Sequence, residues 1–413
     1  MKKPHSRLVA AIALVLAFFP ASSWAQLILG QYEDEAPFRT WNILGIPTAP
    51  SLGMGEARFA LAYDSSAALT NPALLTSIPA ASVTINGSYS TASFDKYSIV
   101  NTGVIFTEKN SSIGVYTLDF AGFSAKYKDW ALAISAGLLE QYDRPRLKPE
   151  YEYQGQIVYT LDFEQDGILR NYNISLARKF FGRLALGVGV NFVSGWIEKN
   201  IQEDYLYDGV RITDYKKNEF KGFYLNGGIA LDITDTLTAA AIFRTPYSKE
   251  SDSESSLSFT IPEANTDIRI EAAAANTFHM PLILGVGFDY RLSQALRVAS
   301  DVSFFNWSSY SVEYYDEELE RAFTNIIKIG GGLEYLSSLN IFGQVVLMPL
   351  RIGMIYDPQP MKEPSSHYLY YTLGIGFYWR GLRLDTGTCF GNEKGSGQDL
   401  IGRRFSVSLS FIL

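Results

Sequence analysis

Few residues in this chain have the spacing that bond-making chemistry needs. The histidines are His5, His279 and His367, far apart in the sequence, and the lone thiol is Cys389. A structural metal site draws on several Cys or His ligands at close spacing, so no metal centre is expected. Cys389 falls in a strand-like run, where a thiol reads as a small packing residue. The stretches GVGVNFVSG (187–195) and GIGFYWRG (374–381) space their glycines suggestively. No helix follows either one, so neither is a phosphate-cradling loop. The acidic run EYYDEELE (313–320) reads as a solvated outer loop. These residues predict no catalytic group, no cofactor and no enzyme, and recognition is the remaining chemistry.

The elements that position such a surface are unusual. Lys2, Lys3 and Arg7, then an apolar run from Leu8 to Phe19, then Ser23-Trp24-Ala25 have the layout of a secretory leader over 1–25. Without it the 35 basic residues fall to 32 against 43 acidic ones, a net charge of −11. That balance argues against nucleic acid or anionic headgroups as the main partner. One cysteine excludes an intrachain disulfide framework. Gly 34, Tyr 26 and Phe 26 favour many strands whose surfaces meet something other than water. No later stretch has the ~20 consecutive apolar residues of a membrane helix. The remaining way to cross a bilayer is a closed β-barrel, which satisfies every backbone group.

Period-two alternation supports this. LALGVGVNFVSGW (184–196) sets Leu184, Leu186, Val188, Val190 and Phe192 against Ala185, Gly187, Gly189 and Asn191. RFSVSLSFIL at the end sets Phe405, Val407, Leu409 and Phe411 against three serines. Fourteen such segments are predicted, the first at 81–94 and the last at 403–412. Long connections alternate with tight turns, the asymmetry of an outer-membrane barrel. The segments 97–106, 153–162 and 255–273 also look strand-like, as hairpins or extensions within long loops, so sixteen strands stays open. Trp130, Trp196, Trp307 and Trp379 all fall near strand ends, the expected interfacial belt.

Residues 26–80 precede the first strand and lack its pattern. Gly53 and Gly55 permit close backbone approach. Asn71-Pro72 is a good start for a short helical turn with Leu74, Leu75 and Ile78 as apolar contacts. These residues suit a plug folded into the lumen and an ordinary periplasmic lead-in equally.

The motif GMGEARFALAYDSSAALTNPALL (53–75) resembles the FadL/TodX family of outer-membrane transport proteins for hydrophobic compounds. The matching features are Gly53-Met54-Gly55, Asp64 and Asn71-Pro72-Ala73. MPLILGVGFDYRLSQALRVASDVSFFNW (280–307) and LRIGMIYDPQP (350–360) are similar to later parts of that family. The same amino-terminal motif also resembles PorV-type barrels, which serve secretion machinery. The resemblance implies a leader at 1–25, a hatch at 26–80 and an all-β, fourteen-strand transmembrane barrel at 81–413. Gly53, Met54, Gly55, Asp64, Asn71, Pro72 and Ala73 would form the hatch and ligand-binding segment. It further implies a monomer in the outer membrane that takes a fatty acid or similar molecule from outer loops to a pocket near the hatch. Release would be sideways into outer-membrane lipid, through a gap in the wall. Phe411 and the alternating last strand fit a signal for barrel-assembly machinery, although the chain ends in Leu413 and not in an aromatic residue.

The inward face expected of these strands is small and uncharged, which suits a greasy cargo better than an ion pore. Arg297 and Asp301 are exceptions, read as a polar lumen filling or as an anchor for the plug. Ile157, Val158, Leu161, Leu257, Phe259 and Ile261 in the long loops are read as an outer capture site or as loops packing on themselves.

Overall fold

The computed structural model describes residues 47–413 except 102, 103, 144, 145, 147, 149, 154, 262–265, 315, 316, 321, 322, 342, 364 and 396–399. The expected leader at 1–25, and the stretch 26–46, lie outside the described residues. The alternation over 81–413 becomes strands that pair with their sequence neighbours, all antiparallel. The first hairpin is β1 (Ala81–Asn101) and β2 (Val104–Tyr127). Next come β3 (Trp130–Gln141), the short β4 (Glu150–Tyr153), β5 (Gln156–Phe180), β6 (Leu184–Tyr205) and β7 (Val210–Asp232). Three staves are interrupted. β8 (Leu237–Arg244) continues as β9 (Tyr247–Ile261) past Thr245-Pro246. β10 (Thr266–Met280) continues as β11 (Ile283–Arg291) past Pro281. β12 (Leu296–Phe305) continues as β13 (Ser311–Tyr314) past a 3-10 turn at Trp307–Ser309. Proline has no N–H for the ladder, which explains the first two breaks.

β14 (Glu317–Glu320) leads to β15 (Ile326–Ile341), followed by β16 (Gln344–Pro358), β17 (His367–Trp379), β18 (Leu382–Lys394) and β19 (Leu400–Ile412). β19 returns to β1 from Ser82↔Ile412 to Phe94↔Leu400, which closes a barrel of fourteen staves. Tight turns join the staves at one end, where Phe181-Gly182 and Arg380-Gly381 have the paired positive φ of type I′ hairpins. Outward side chains such as Ile329, Leu333, Leu384, Val407 and Phe411 are exposed and form an apolar belt. No helix among the described residues is long and apolar enough to cross a membrane.

The staves reach farther than the alternation implies. β5, β6 and β7 hold 25, 22 and 23 residues, whereas a spanning strand needs only about 9–11. Much of what reads as long loop is wall standing beyond the belt. There the outer face carries charged residues such as Asp162 and Glu164 while Leu161 and Phe163 are buried inside, so the alternation inverts. The described residues of 97–106, 153–162 and 255–273 are parts of this wall, so they add no staves. One expectation fails: Trp307 is not in the interfacial belt. The 3-10 turn rotates it inward, where it is 2% exposed and packs on Tyr310 and Phe323 at 5.6 and 5.8 Å between ring centroids.

Candidate functional site

Residues 47–80 lie inside the barrel. Two short helices, α1 (Ala49–Gly53) and α2 (Ala67–Thr70), precede a 3-10 turn at Pro72–Ser77. The Asn71 side chain accepts from the Ala73 N–H at 3.1 Å, and Pro72 opens the turn. Asp64 accepts from the Ser66 N–H at 2.8 Å and from the Thr48 hydroxyl at 3.4 Å, which fixes the bend into α2. Leu74, Leu75 and Ile78 are buried, and Met54 packs with Ala57, Leu61 and Ala299.

The wall glycines explain how this inner segment fits. A Cβ on Gly187 would stand 2.5 Å from Pro72 C and 2.8 Å from Ala73 Cα. One on Gly228 would meet the Asn71 side chain, one on Gly285 the Phe59 ring, and one on Gly387 the Ala49 backbone. On the segment itself, a Cβ on Gly53 would stand 2.8 Å from Gly374 Cα. Gly55 has φ +64°, a left-handed conformation, and a Cβ on it would meet the carbonyl oxygens of Gly331 and Met354. The glycines are therefore sockets for a second backbone, beyond any bending of the wall.

Polar side chains of the wall satisfy the segment's backbone. Asp301 accepts from the N–H groups of Arg58 and Phe59 at 2.7 and 2.9 Å, so it is an anchor. Arg297 instead pairs with Asp289 and Glu334 inside the wall at 3.1 and 3.3 Å. The Thr372 hydroxyl accepts from Gly55 N–H at 3.1 Å and donates to Gly53 O at 3.2 Å. Asn86 Oδ1 accepts from Ala49 N–H at 3.0 Å. Lys328 holds Glu56 at 2.9 Å and Asp357 at 3.4 Å. On the opposite side, Ser175 and Asn226 donate to the Ala68 carbonyl at 3.2 and 3.0 Å. Among these wall groups only Arg297 and Asp301 were singled out in sequence. The parity of polar residues on the inward face was the available signal for the others.

Strand register sorts the lumen above this segment into layers, because directly opposed residues share a face. Ser175, Gly189, Asn226 and Arg244 form one row just outside the sockets. Tyr142, Phe220 and Phe278 form an aromatic layer farther out, with the Lys249 ammonium 4.4 Å from the Phe220 centroid and 3.2 Å from Tyr142 Oη. Nearest the rim, the row Leu161, Glu203, Ile212, Phe259 and Ile268 and the row Phe163, Ile201, Asp214, Leu257 and Ile270 line the inner side of the projecting wall. Leu161 is buried, Leu257 and Phe259 are half-buried, and Ile268 and Ile270 are exposed. At the tight-turn end, beneath the inner segment, lies a polar cavity of about 840 Å³ reached by Lys126, Lys179, Arg183, Asp232 and Arg383.

The wall has one seam next to this segment. β2 pairs with β3 only from Tyr127↔Trp130 to Phe120↔Gly137, while the β1–β2 ladder continues to Asn101↔Val104. β3 stays with β5 out to Gln141↔Ile168. The two strands part where each carries a register shift, beside Asp119 in β2 and Leu139 in β3. Bulges bend strands and end pairing. Past Gly137 the β3 residues Leu138, Leu139 and Glu140 are all buried, so the strand has turned inward. Arg170 of β5 reaches across and donates to the Leu118 carbonyl at 3.0 Å. Leu69 of α2 sits against Gly137, at the inner foot of the seam.

Known proteins share this architecture. The barrel is similar to crystal structures of a Pseudomonas aeruginosa FadL homologue (TM-score 0.63, 14% identity, 89% of this chain and 99% of that one) and of the P. putida toluene transporter TodX (0.65, 14%, 90% and 99%). The Ralstonia pickettii toluene transporter TbuX gives 0.60 at 15% identity over 90% and 98%. No curated protein sequence matches the chain. The family model described as BamG matches residues 52–386, and the chain belongs to that family.

Proposed function

We propose that this BamG-family barrel lies as a monomer in a Gram-negative type outer membrane and passes hydrophobic small molecules of the long-chain fatty acid class by passive diffusion. Residues 1–25 act as the leader, 26–80 as the hatch and 81–413 as the barrel. Gly53, Met54, Gly55, Asp64, Asn71, Pro72 and Ala73 shape the hatch and its ligand contacts. The observation that carries the reading is the seam between β2 and β3, with the hatch residue Leu69 at its foot. An apolar solute taken from the rim needs no aqueous exit if the wall opens at the height of the bilayer. No cofactor and no energy source enters such a path. The fold shared with proteins titled as toluene transporters makes small aromatic hydrocarbons the second cargo to try.

The test is uptake of labelled long-chain fatty acid, and separately of toluene, by a host lacking its own outer-membrane transporter. Restored uptake that is lost on deleting the bulge residue Leu139, which straightens β3 and closes the seam, supports the reading. A barrel inserted correctly by its heat-modifiable gel mobility, yet taking up neither cargo, refutes it. In that case the secretion-partner reading moves ahead. The observation that favours this second reading is the wall of 22–25-residue strands standing beyond the belt, a large surface that lipid does not cover.

A further inference from the structure

β10 enters this projecting wall with one side paired and the other bare. Its ladder with β9 is complete, from Met280↔Tyr247 to Thr266↔Ile261. On its other side, among the described residues, β13 pairs only with Asn276–His279. From Asp267 to Ala275 a row of backbone N–H and C=O groups faces away from β9 with no strand of the described residues beside it. Natural edges of this length are usually blunted by a proline, a bulge or an inward charge. The sequence TDIRIEAAAA has no proline, its register is unbroken, and its one close ion pair, Arg269–Glu271 at 2.8 Å, lies along the strand itself.

Both faces beside this edge are unfinished. On the lumen side the two apolar rim rows end on Ile268 and Ile270, which remain 50% and 56% exposed. On the opposite face a groove of about 410 Å³ runs along Ala273 and Ala275, whose small side chains leave it open. Its other walls carry Glu219, Asp252 and Glu254; Lys217 pairs with Glu219 at 2.6 Å and Lys221 with Asp252 at 3.3 Å, which leaves Glu254 in excess. The groove is thus acidic on balance.

We propose that the free edge of β10 over Asp267–Ala275 is a strand-addition site for an extended segment of another protein that alternates apolar and basic residues. Backbone pairing supplies affinity and alternate side chains supply choice. Apolar residues of the added strand continue the rows ending at Ile268 and Ile270, and its basic residues enter the groove beside Glu254. The whole sheet is antiparallel and β10 runs from the rim toward the membrane, so the added strand runs away from the membrane. A second copy in the same membrane does not meet this condition, because its β10 also runs toward the membrane. The inference does not depend on what passes through the lumen.

The test uses the full-length barrel in detergent and a labelled ten-residue peptide alternating valine and lysine. Comparison peptides alternate valine and glutamate, or keep the Val/Lys sequence with alternate backbone amides N-methylated. Binding of the Val/Lys peptide at least tenfold tighter than both supports strand addition. Loss of tenfold or more in an I268K/I270K variant of unchanged heat-modifiable mobility places the site on β10. Equal binding of the N-methylated peptide reduces the effect to charge attraction and overturns the proposal. Absence of Val/Lys binding, or undiminished binding by the variant, overturns it as well.

Discussion

Replacing Gly187 by alanine tests whether the wall glycines seat the inner segment. Gly187 lies on β6, opposite Ala177 and Gly228. The three atoms nearest its added Cβ all belong to the inner segment: Ala73 N, Pro72 C at 2.5 Å and Ala73 Cα at 2.8 Å. Carbon–carbon contacts relax at about 3.5–4.0 Å, so Pro72-Ala73 must retreat by roughly 0.7–1 Å. Burying the new methyl returns about 0.8 kcal/mol, which is less than the typical overpacking cost of about 1–3 kcal/mol. The difference of roughly 0.2–2.2 kcal/mol lowers the ratio of seated to displaced segment by roughly 1.4- to 40-fold. The wall ladder is untouched, so the barrel keeps its heat-modifiable transition. The assay is entry of a hydrophobic fluorescent dye into cells or proteoliposomes carrying the G187A variant. An A241V variant, enlarged on the exposed outer face of β8, is the control. Dye entry should rise in G187A and stay at the native level in A241V. Native entry in G187A, with Pro72-Ala73 unmoved, would refute the socket argument.

Asp119 is fully buried against Arg404 at 2.7 Å and also accepts from Asn86 and Ser88 at 2.8 and 3.1 Å. Asp119→Ala removes that carboxylate and should cost about 3–5 kcal/mol, read as a lower temperature of the heat-modifiable gel shift. In the outer loops the hydrogen bond from Arg146 holds the Asp162 carboxyl below its usual range. The tether is therefore complete above the ordinary carboxylate pKa of about 4. It is lost as pH falls through the lowered value, so protease cleavage near Arg146 should rise only in strong acid, and R146A should remove that step. Amides of Ala67–Ser77 should exchange with solvent deuterium faster than those of Ala49–Phe59, and equal rates would sink the asymmetry argued below.

The barrel was legible because lipid on one side and a crowded lumen on the other impose a period of two on every stave. Leu186, Val188 and Phe192 face out while Gly187, Gly189 and Asn191 face in, which is enough to count fourteen. The projecting wall was less legible because its outward residues are polar where those of the belt are apolar; 255–273, strand-like in sequence, pairs as a hairpin through its described residues. Trp307 was misplaced because a 3-10 turn rotates side chains by a rule that alternation does not carry. The inner segment's partners were the least visible. Gly228 meeting Asn71, or Thr372 meeting Gly53 and Gly55, joins positions 157 or more residues apart, and no local pattern encodes such a meeting. The seam was hidden for the same reason. A bulge at Leu139 leaves the apolar run through Leu138 and Leu139 looking like ordinary strand.

The inner segment is held by two kinds of contact, and their placement bears on how it would move. Toward β12–β19 and β1 it is gripped through charge and through backbone amides, by Asp301 on Arg58 and Phe59, by Lys328 on Glu56, and by Thr372 and Asn86 on α1. Toward β2–β7 it rests on apolar side chains and on neutral donors to the Ala68 carbonyl, with a charged donor, Lys126, only at the end of the turn, on the Thr76 carbonyl at 2.6 Å. Charge-assisted hydrogen bonds are roughly twice as strong as neutral ones, and breaking a buried ion pair leaves a charge without its partner. The weakly held half is the half beside the seam, where Leu69 meets Gly137. A solute pressing on the segment would therefore tilt α2 and the Pro72 turn about a fixed α1. No displacement of the whole segment is required, because the part that yields already stands where β2 and β3 part.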